Sequence, residues 1–593
     1  MKFSKLADYF EKLESETKRN ELIQILSEVF VNSDANEIDK ICYLIQGRVV
    51  PFFDSTEIGM AEKTVEQAIA LAYVIDREKV AKLAEKTGDQ GLAAQKLNSE
   101  LKHAPGSAAF ADAKVKNSDV SVSDVHEVLL KIAQTNGEGS VEKKISQFAD
   151  ILKKVNPAGA KHLVRVPLGL TRLGIGDPTV LDALSTAKVK DKSLRKNLEE
   201  AYNKTSDLGF VAKVFWEKGI KAIDQVELQV GKPMRPALAE RLPDAEAVVK
   251  RMGDSFAVEP KFDGFRCQVH IDGDKIRIFS RNLEDFTNSF PDLVQGSKEE
   301  IEAKSVILEG EAIAYNPVTG EFLPFQETTK RRRKYGVAEA AEKMPLKLFC
   351  FDLLYLNGKD ITKLSYEERR RKLKDIIRDD SVTVMEAIGK IAHSAGDLTT
   401  QFEEAITEGL EGVMIKKLDS PYQAGARNFN WIKFKRMIGG ELSDTVDCVV
   451  LGYIFGTGKR TNFGVGGLLV GVYNDKEDTF ESISRIGTGL TDDEWRKVKE
   501  MADKNKLDHK SARVNSLITP SVWVEPEIVL EIFADEITRS PLHTAGKKDD
   551  EPGYALRFPR LVSFRGSSKR AEDATTVKEI EQMYKAQFKH LKS

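Results

Sequence analysis

The stretch EPKFDGFRCQVHIDGDKIRIFSRN (259–282) sets one lysine, Lys261, between a proline and an Asp263-Gly264 turn, at the mouth of an arginine-rich hairpin. A lysine amine is a nucleophile near neutral pH only where burial or neighbouring cations depress its pKa. Arg266, just past the turn, and Lys433 and Lys435 of WIKFK (431–435) are the candidate cationic neighbours. In LEGEA (308–312), Glu309 and Glu311 fall on one face of a strand, where two carboxylates suit a divalent metal or, equally, a solvated edge. EGVMIK (411–416) opens an apolar strand with Glu411 and closes it with Lys416; Glu411 is a second metal ligand or simply a strand terminus. Lys433 and Lys435 project from one strand face, a pattern that fits a polyanionic phosphate and also any amphipathic strand. Phe351, in FCFDLL (349–354), is a core ring by default and a base-stacking ring in the right company.

These residues need elements to position them. From about residue 256 the hydrophobic period is two: in RCQVHI, Arg266, Gln268 and His270 face one side and Cys267, Val269 and Ile271 the other. The turn at 272–274 returns the chain as KIRIF, and further strands are expected at 305–315, 346–356, 411–417 and 430–436, with a helix over 365–379. Before this region the chain reads as helical. Phe3, Leu6, Ala7, Phe10 and Leu13 recur at helical spacing, as do Leu22, Ile25, Leu26, Val29 and Phe30. The polar stretch 103–125 reads as a connection, Asp177 as a helix cap with Pro178 at the first helical position, and the proline-rich 231–244 as an extended linker. Beyond 440, short strands broken by glycine suggest a small barrel, followed by a last helix over 575–593.

The 593 residues are too many for one compact core. A 41% hydrophobic and 31% charged composition describes an ordered soluble chain, and a net charge of -3 confines any nucleic-acid surface to a local patch. Cys42, Cys267, Cys350 and Cys448 lie far apart, which argues against a zinc ribbon and a disulfide framework and for a reducing compartment. With no apolar leader and no membrane-length apolar run, a cytoplasmic protein is expected.

In order and spacing, KFDGFR, SRN, LEGEA, FCFDLLY, EGVMIKK, WIKFK and LRFPR resemble the motif series of covalent nucleotidyltransferases, and most closely that of ATP-dependent DNA ligases of the archaeal and eukaryotic replicative type. The resemblance runs over nearly the whole chain, through AYNKTSDLGFVA and GKPMRPALA early on and ADEITRSPLHTAGK late. It implies a multidomain α+β protein: an all-helical DNA-binding domain (1–228), a mixed α/β nucleotidyltransferase domain that carries adenylation (229–440), and an OB-fold β-barrel domain with a C-terminal helix (441–593). It implies that Lys261 carries AMP from ATP, that Glu259 helps recognise the adenine amine, and that Phe351 stacks on the base. Arg266 and Arg281 would contact ribose and phosphates; Glu311 would bind the ribose and, with Glu411, lie near a metal, Mg2+ or another divalent ion. Arg427, Lys433 and Lys435 would hold the triphosphate, with Arg557 of LRFPR near the pyrophosphate, and KRRRK (330–334) would contact DNA phosphates. Nicked double-stranded DNA is the implied partner of a monomer working in replication, repair and recombination, with a sliding clamp as a further candidate. The compartment implied is the nucleoid, or the nucleus if the source is eukaryotic.

One departure stands out. After RFPRLVSFR the family commonly has an acid followed closely by lysine, whereas this chain reads GSSKR (566–570), leaving Lys569 with no aspartate beside it and Asp573 as a substitute acid. An RNA ligase or capping enzyme would share the Lys261 hairpin but not the helical first domain together with FPR and the last helix. An NAD-dependent ligase would need a cysteine cluster that is missing, and a non-catalytic DNA clamp would not need Lys261, Glu311, Glu411 and Lys433 all at once.

Overall fold

The computed structural model describes the chain except for residues 104–119, 243, 319, 324, 334–335, 408–409, 426, 436–443, 456–463, 488–489, 549–550 and 588–593, and except for the side chains of 101–103, 325, 326, 329, 406, 407, 435 and 567. Helices fill the first part, from Phe3–Ser15 and Arg19–Val31 to Ile220–Asp224. Their apolar positions recur every three or four residues, so Phe3, Leu6, Phe10, Leu13, Leu22, Leu26, Val29 and Phe30 meet in one core. The expected cap at Asp177 is corrected. Gly176 is the N-cap of Asp177–Val189, and the Asp177 carboxylate instead accepts hydrogen bonds from Gln46 Nε2 at 2.8 Å and the Tyr202 hydroxyl at 2.5 Å.

The middle of the chain holds two sheets. Its strands are β1 (Leu238–Arg241), β2 (Phe256–Lys261), β3 (Phe265–Asp272), β4 (Lys275–Ser280), β5 (Ser305–Ala314), β6 (Leu346–Leu356), β7 (Lys359–Asp360), β8 (Val384–Glu386), β9 (Lys390–Ala392), β10 (Gly412–Lys416) and β11 (Arg427–Lys435). One sheet runs β1-β11-β10-β2-β9; the other runs β4-β3-β5-β6-β7, with β8 paired to β6. Cys267, Val269 and Ile271 enter the core of the second sheet, as the period of two requires. The opposite face is buried as well. The Met234 N–H donates to Gln268 Oε1 at 2.7 Å and the Gly231 N–H to His270 Nδ1 at 2.9 Å. Residues 231–244 are therefore no linker: the segment lies on the sheet and supplies β1, which pairs parallel with β11.

The last part folds around β12 (Val446–Ile454), β13 (Gly467–Asn474) and β14 (Thr479–Ile486), the centre of an eight-stranded sheet. Ile580 and Met583 of the helix Val577–Gln587 join its core. The three parts touch. Thr179 Oγ1 donates to Asp478 at 3.0 Å, His509 Nε2 lies 2.6 Å from the Glu14 carbonyl oxygen, and Arg241 pairs with Asp444 at 3.1 Å. All four cysteines are buried and free.

Candidate active site

Lys261 is the last residue of β2, and the antiparallel register sets it opposite Gly412 of β10, next to Glu411. The Glu411 N–H donates to the Lys261 carbonyl at 3.3 Å, and the Glu411 carboxylate forms an ion pair with the Lys261 ammonium. On the other sheet, register sets Arg266 of β3 opposite Glu311 of β5. The Gly264 N–H donates to Glu311 Oε1 at 3.2 Å, which ties the turn after the lysine to that strand. Gly264 has to be glycine for a steric reason: a Cβ there would lie 2.4 Å from the Ala312 carbonyl oxygen. Lys261 thus stands where the sheets meet, four-fifths buried, with a carboxylate from each beside it.

Burial lowers the Lys261 pKa from its ordinary value; Glu311, Asp263 and Asp444 oppose the shift and Arg281 adds to it. Burial pushes the Glu311 carboxyl up to about 7 against the pull of Lys261 and Arg266. A buried carboxyl held back from ionising gains by binding a cation. Glu311 and Glu411 offer hard carboxylate oxygens of the kind Mg2+ takes.

Glu309 does not join them. Unbroken register with β3 keeps it on the same face as Glu311, but opposite Gln268 where Glu311 lies opposite Arg266. The Glu309 carboxylate is fully buried and taken up by Arg266 at 2.8 Å, the Tyr422 hydroxyl at 2.8 Å and Gln268 Nε2 at 3.3 Å. Phe351 is half-buried, its ring 5.8 Å from Trp431 and 5.4 Å from the Arg266 guanidinium. Glu259 lies two residues before Lys261 on β2, buried, with Lys416 at 2.7 Å.

A cationic group faces the C-terminal part. Arg281 has a buried Nε with no hydrogen-bond partner; burial lowers its pKa, Asp573 and Asp447 oppose the shift, and Arg266 and Arg427 add to it. Arg427 and Lys433 project toward Glu579 of the last helix; Arg427 pairs with it and Lys433 lies 3.2 Å away. Burial, with Arg241, brings the Lys433 ammonium down to about 7. Lys435 ends β11 opposite Gly412, and its side chain lies outside the described residues.

Arg557 is not brought to this group. It is exposed, and its Nε donates to Thr538 at 2.8 Å. Residues of the last part that do face the site include Asp444, just before β12, and Lys569 and Glu579, in the loop and helix after the sheet. At the GSSKR departure, Lys569 pairs with Asp447 of β12, which Arg565 holds as well at 2.9 Å. Asp573 sits beside Arg570. Of KRRRK, Arg331 is fully buried against Asp292 at 2.9 Å, Arg332 pairs with Glu284 at 2.9 Å, Arg333 is exposed, and Lys334 lies outside the described residues. The segment is thus partly structural rather than a continuous phosphate contact.

Sequence reasoning did not single out Tyr366, Arg370, Tyr422, Trp431, Asp447 or Glu579, and noted Lys416 only as the end of its strand. The signal for Lys416 was present: a lysine continuing the buried face of an apolar strand needs a buried partner.

A buried lysine between carboxylates of two sheets, with an OB-like domain and a helical domain both in contact with the part that holds them, defines a nucleotidyltransferase of multidomain type. Three family models match the chain: "DNA ligase N terminus" over residues 2–185, "ATP dependent DNA ligase domain" over 236–435 and "ATP dependent DNA ligase C terminal region" over 461–567. The chain is 51% identical to a probable DNA ligase of Dictyoglomus turgidum over 590 residues, which covers 99% of this chain and 98% of that one. It is 42% identical to a DNA ligase of Saccharolobus solfataricus and 41% identical to DNA ligase 2 of Thermofilum pendens, in each case over 99% of this chain and 98% of the relative. The chain belongs to the ATP-dependent DNA ligases, enzymes that seal nicks in DNA with ATP as AMP donor and a divalent metal such as Mg2+.

Proposed function

We propose that Lys261 is the adenylation nucleophile. Its amine attacks the α-phosphate of ATP; the N–P bond forms, the bond to the β-phosphate bridging oxygen breaks, and pyrophosphate leaves while the amine proton is lost. The AMP then passes to the 5′-phosphate of nicked DNA, and the 3′-hydroxyl displaces it to close the strand. The observation that carries this reading is the buried Lys261 amine between Glu411 and Glu311, with its pKa depressed by burial.

Glu259 takes the adenine amine, Phe351 the base, and Arg266 and Glu311 the ribose side. Arg281, Arg427, Lys433 and Lys435 take the phosphates, with support from the Arg281 Nε, which makes no hydrogen bond, and from the like charges of Arg427 and Lys433 acting on one another. Glu311 and Glu411 would hold the metal, which offsets phosphate charge in phosphoryl transfer. Glu579 occupies Arg427 and Lys433 in this arrangement, so the triphosphate must compete with it for the same cations. For Arg557 to approach pyrophosphate, the last domain has to turn.

The boundaries 1–228, 229–440 and 441–593 belong to the same proposal, supported by the change from helices ending at Asp224 to strands beginning at Leu238, and by the sheet that starts at Val446. So does a monomer in the cytoplasm that grips duplex DNA with its helical domain, mainly through phosphates. Among the described residues no helix is long and apolar enough to cross a membrane. The sliding clamp has no residues assigned to it.

Incubation with α-labelled ATP and Mg2+, followed by a chase with nicked duplex DNA, tests the assignment. Wild type is expected to form a labelled protein band that disappears as sealed DNA accumulates. Lys261→Ala should form none while still binding nicked DNA, and a labelled Lys261→Ala band would overturn the assignment.

A further inference from the structure

Under the base-stacking ring lies a closed set of polar groups that the adenylation chemistry leaves unexplained. Glu259 is 3% exposed and Lys416, from the neighbouring strand β10, 1%. Lys416 Nζ lies 2.7 Å from Glu259 Oε2 and donates to the Phe351 carbonyl at 3.1 Å. The Tyr366 hydroxyl donates to Glu259 Oε1, and Arg370 Nε approaches the same oxygen at 3.6 Å. The Lys416 ammonium also sits against three rings, 4.2 Å from the centre of Trp431, 4.6 Å from Phe351 and 5.0 Å from Tyr366. Gly389 backs the glutamate so closely that a Cβ there would lie 2.9 Å from Glu259 Cγ.

Every one of these neighbours is a donor or a cation. A carboxylate has room for about four hydrogen bonds, all as acceptor, and becomes a donor only on protonation. Lys416, Tyr366 and Arg370 together stabilise the anion and use two or three of its acceptor positions. What remains can only accept. A purine bearing a 6-amino group has an N–H to give it, whereas a 6-oxo purine would set two acceptors face to face.

We propose that Lys416 and Tyr366 are positioning residues for nucleotide choice, holding Glu259 as an acceptor-only carboxylate so that 6-amino purine triphosphates are taken and 6-oxo purine triphosphates are refused. The proposal rests on the reading that Glu259 faces the purine 6-position. Without Lys416 or the Tyr366 hydroxyl the glutamate loses a donor that fixes one of its oxygens and is free to turn, so that a 6-oxo group no longer meets it acceptor to acceptor. A site built around one hydrogen bond discriminates far more sharply than one built on shape, by about 10⁴-fold or more where a buried partner is left unpaired.

The test is kcat/KM for enzyme–nucleotide formation with ATP and with ITP, which differs at the 6-position without adding the 2-amino group of GTP. Lys416→Met and Tyr366→Phe should each lower the ATP/ITP ratio by about tenfold or more, with ITP use rising rather than both substrates falling. Lys416→Arg, which keeps the cation, should restore most of the ratio. If Lys416→Met and Tyr366→Phe slow both nucleotides equally and leave the ratio at the wild-type value, the two residues are merely structural and the proposal fails. Tyr366→Phe removes a single oxygen, so it carries the test even if Lys416→Met does not fold. Glu259→Gln separates the underlying reading, because its amide can donate to a 6-oxo group. A ratio unmoved by Glu259→Gln would remove the contact itself, whereas a ratio moved by Glu259→Gln but not by the other variants would overturn this proposal alone.

Discussion

At the scale of single residues the site is a balance between two reluctant charges. Glu311 is among the groups that hold the Lys261 pKa up, against burial, which brings it down. Deprotonated amine is the reactive form, so the adenylation rate should rise with pH through the Lys261 pKa. In Glu311→Gln the opposing negative charge is gone, the Lys261 pKa falls further, and the rising limb should move to lower pH. The plateau should drop by about a hundredfold, the scale on which one positioned catalytic group is felt. A rate profile of self-adenylation against pH checks both; a limb that stays in place or moves upward would show that Glu311 does not act on the lysine. At this scale much was legible in advance. Lys261, Glu311, Arg266 and Glu411 meet as their motifs suggested, while Glu309, two residues from Glu311, was claimed by Arg266 and Tyr422. Strand alternation set both glutamates on one face, as the register with β3 does, and could not say which buried partners each would meet there.

Elements transmit position to the reacting atoms. Two glycines flank β3 with opposite roles. Gly273 has φ +56° in the β3–β4 turn and open space where a Cβ would sit, whereas Gly264, before β3, is pressed against β5. Gly273→Asn should be tolerated, because asparagine enters the left-handed region at little cost. Gly264→Ala should push the Lys261 turn away from Ala312 and Glu311 and slow self-adenylation by about a hundredfold, the effect of a displacement near 1 Å. Labelling rates of the two variants side by side decide the matter; equal rates would mean that the close approach has no catalytic consequence. The helix Tyr366–Ile376 is positioned as firmly. Its Ser365–Glu368 capping box fixes the start, and Arg369, fully buried, pairs with Asp352 of β6 at 2.7 Å. Arg369→Met should leave Asp352 buried and unpaired and cost about 3 to 5 kcal/mol, measurable by denaturant unfolding. A loss below about 1 kcal/mol would place the arginine among ordinary surface pairs.

At the scale of the whole molecule, the arrangement is held by polar contacts between domains. Thr179 meets Asp478, Arg241 meets Asp444, and Glu579 lies on Lys433 and Arg427. Interfaces of this kind release readily. A Thr179→Cys/Asp478→Cys pair, oxidised, should lock the helical domain to the last domain and abolish nick sealing, with activity returning on reduction. Nick sealing at the wild-type rate by the oxidised, verified disulfide form would show that this contact need not open.

What the sequence determined by itself were the features that depend on near neighbours. Periods of two and of three to four residues placed the strands of the hairpin and the helices of the first domain, and the order of short motifs identified the family and singled out Lys261. These are consequences of local geometry, which every segment carries within itself. What only the tertiary structure decided were partnerships between distant residues. Lys569 finds its acid in Asp447, more than a hundred positions earlier; Glu579 covers Lys433; Arg331 turns inward to Asp292; Arg557 points to solvent; and Lys416 closes on Glu259 and Tyr366. A charge says only that it needs a partner or water, and which of these it receives is settled by how the strands register and how the domains pack.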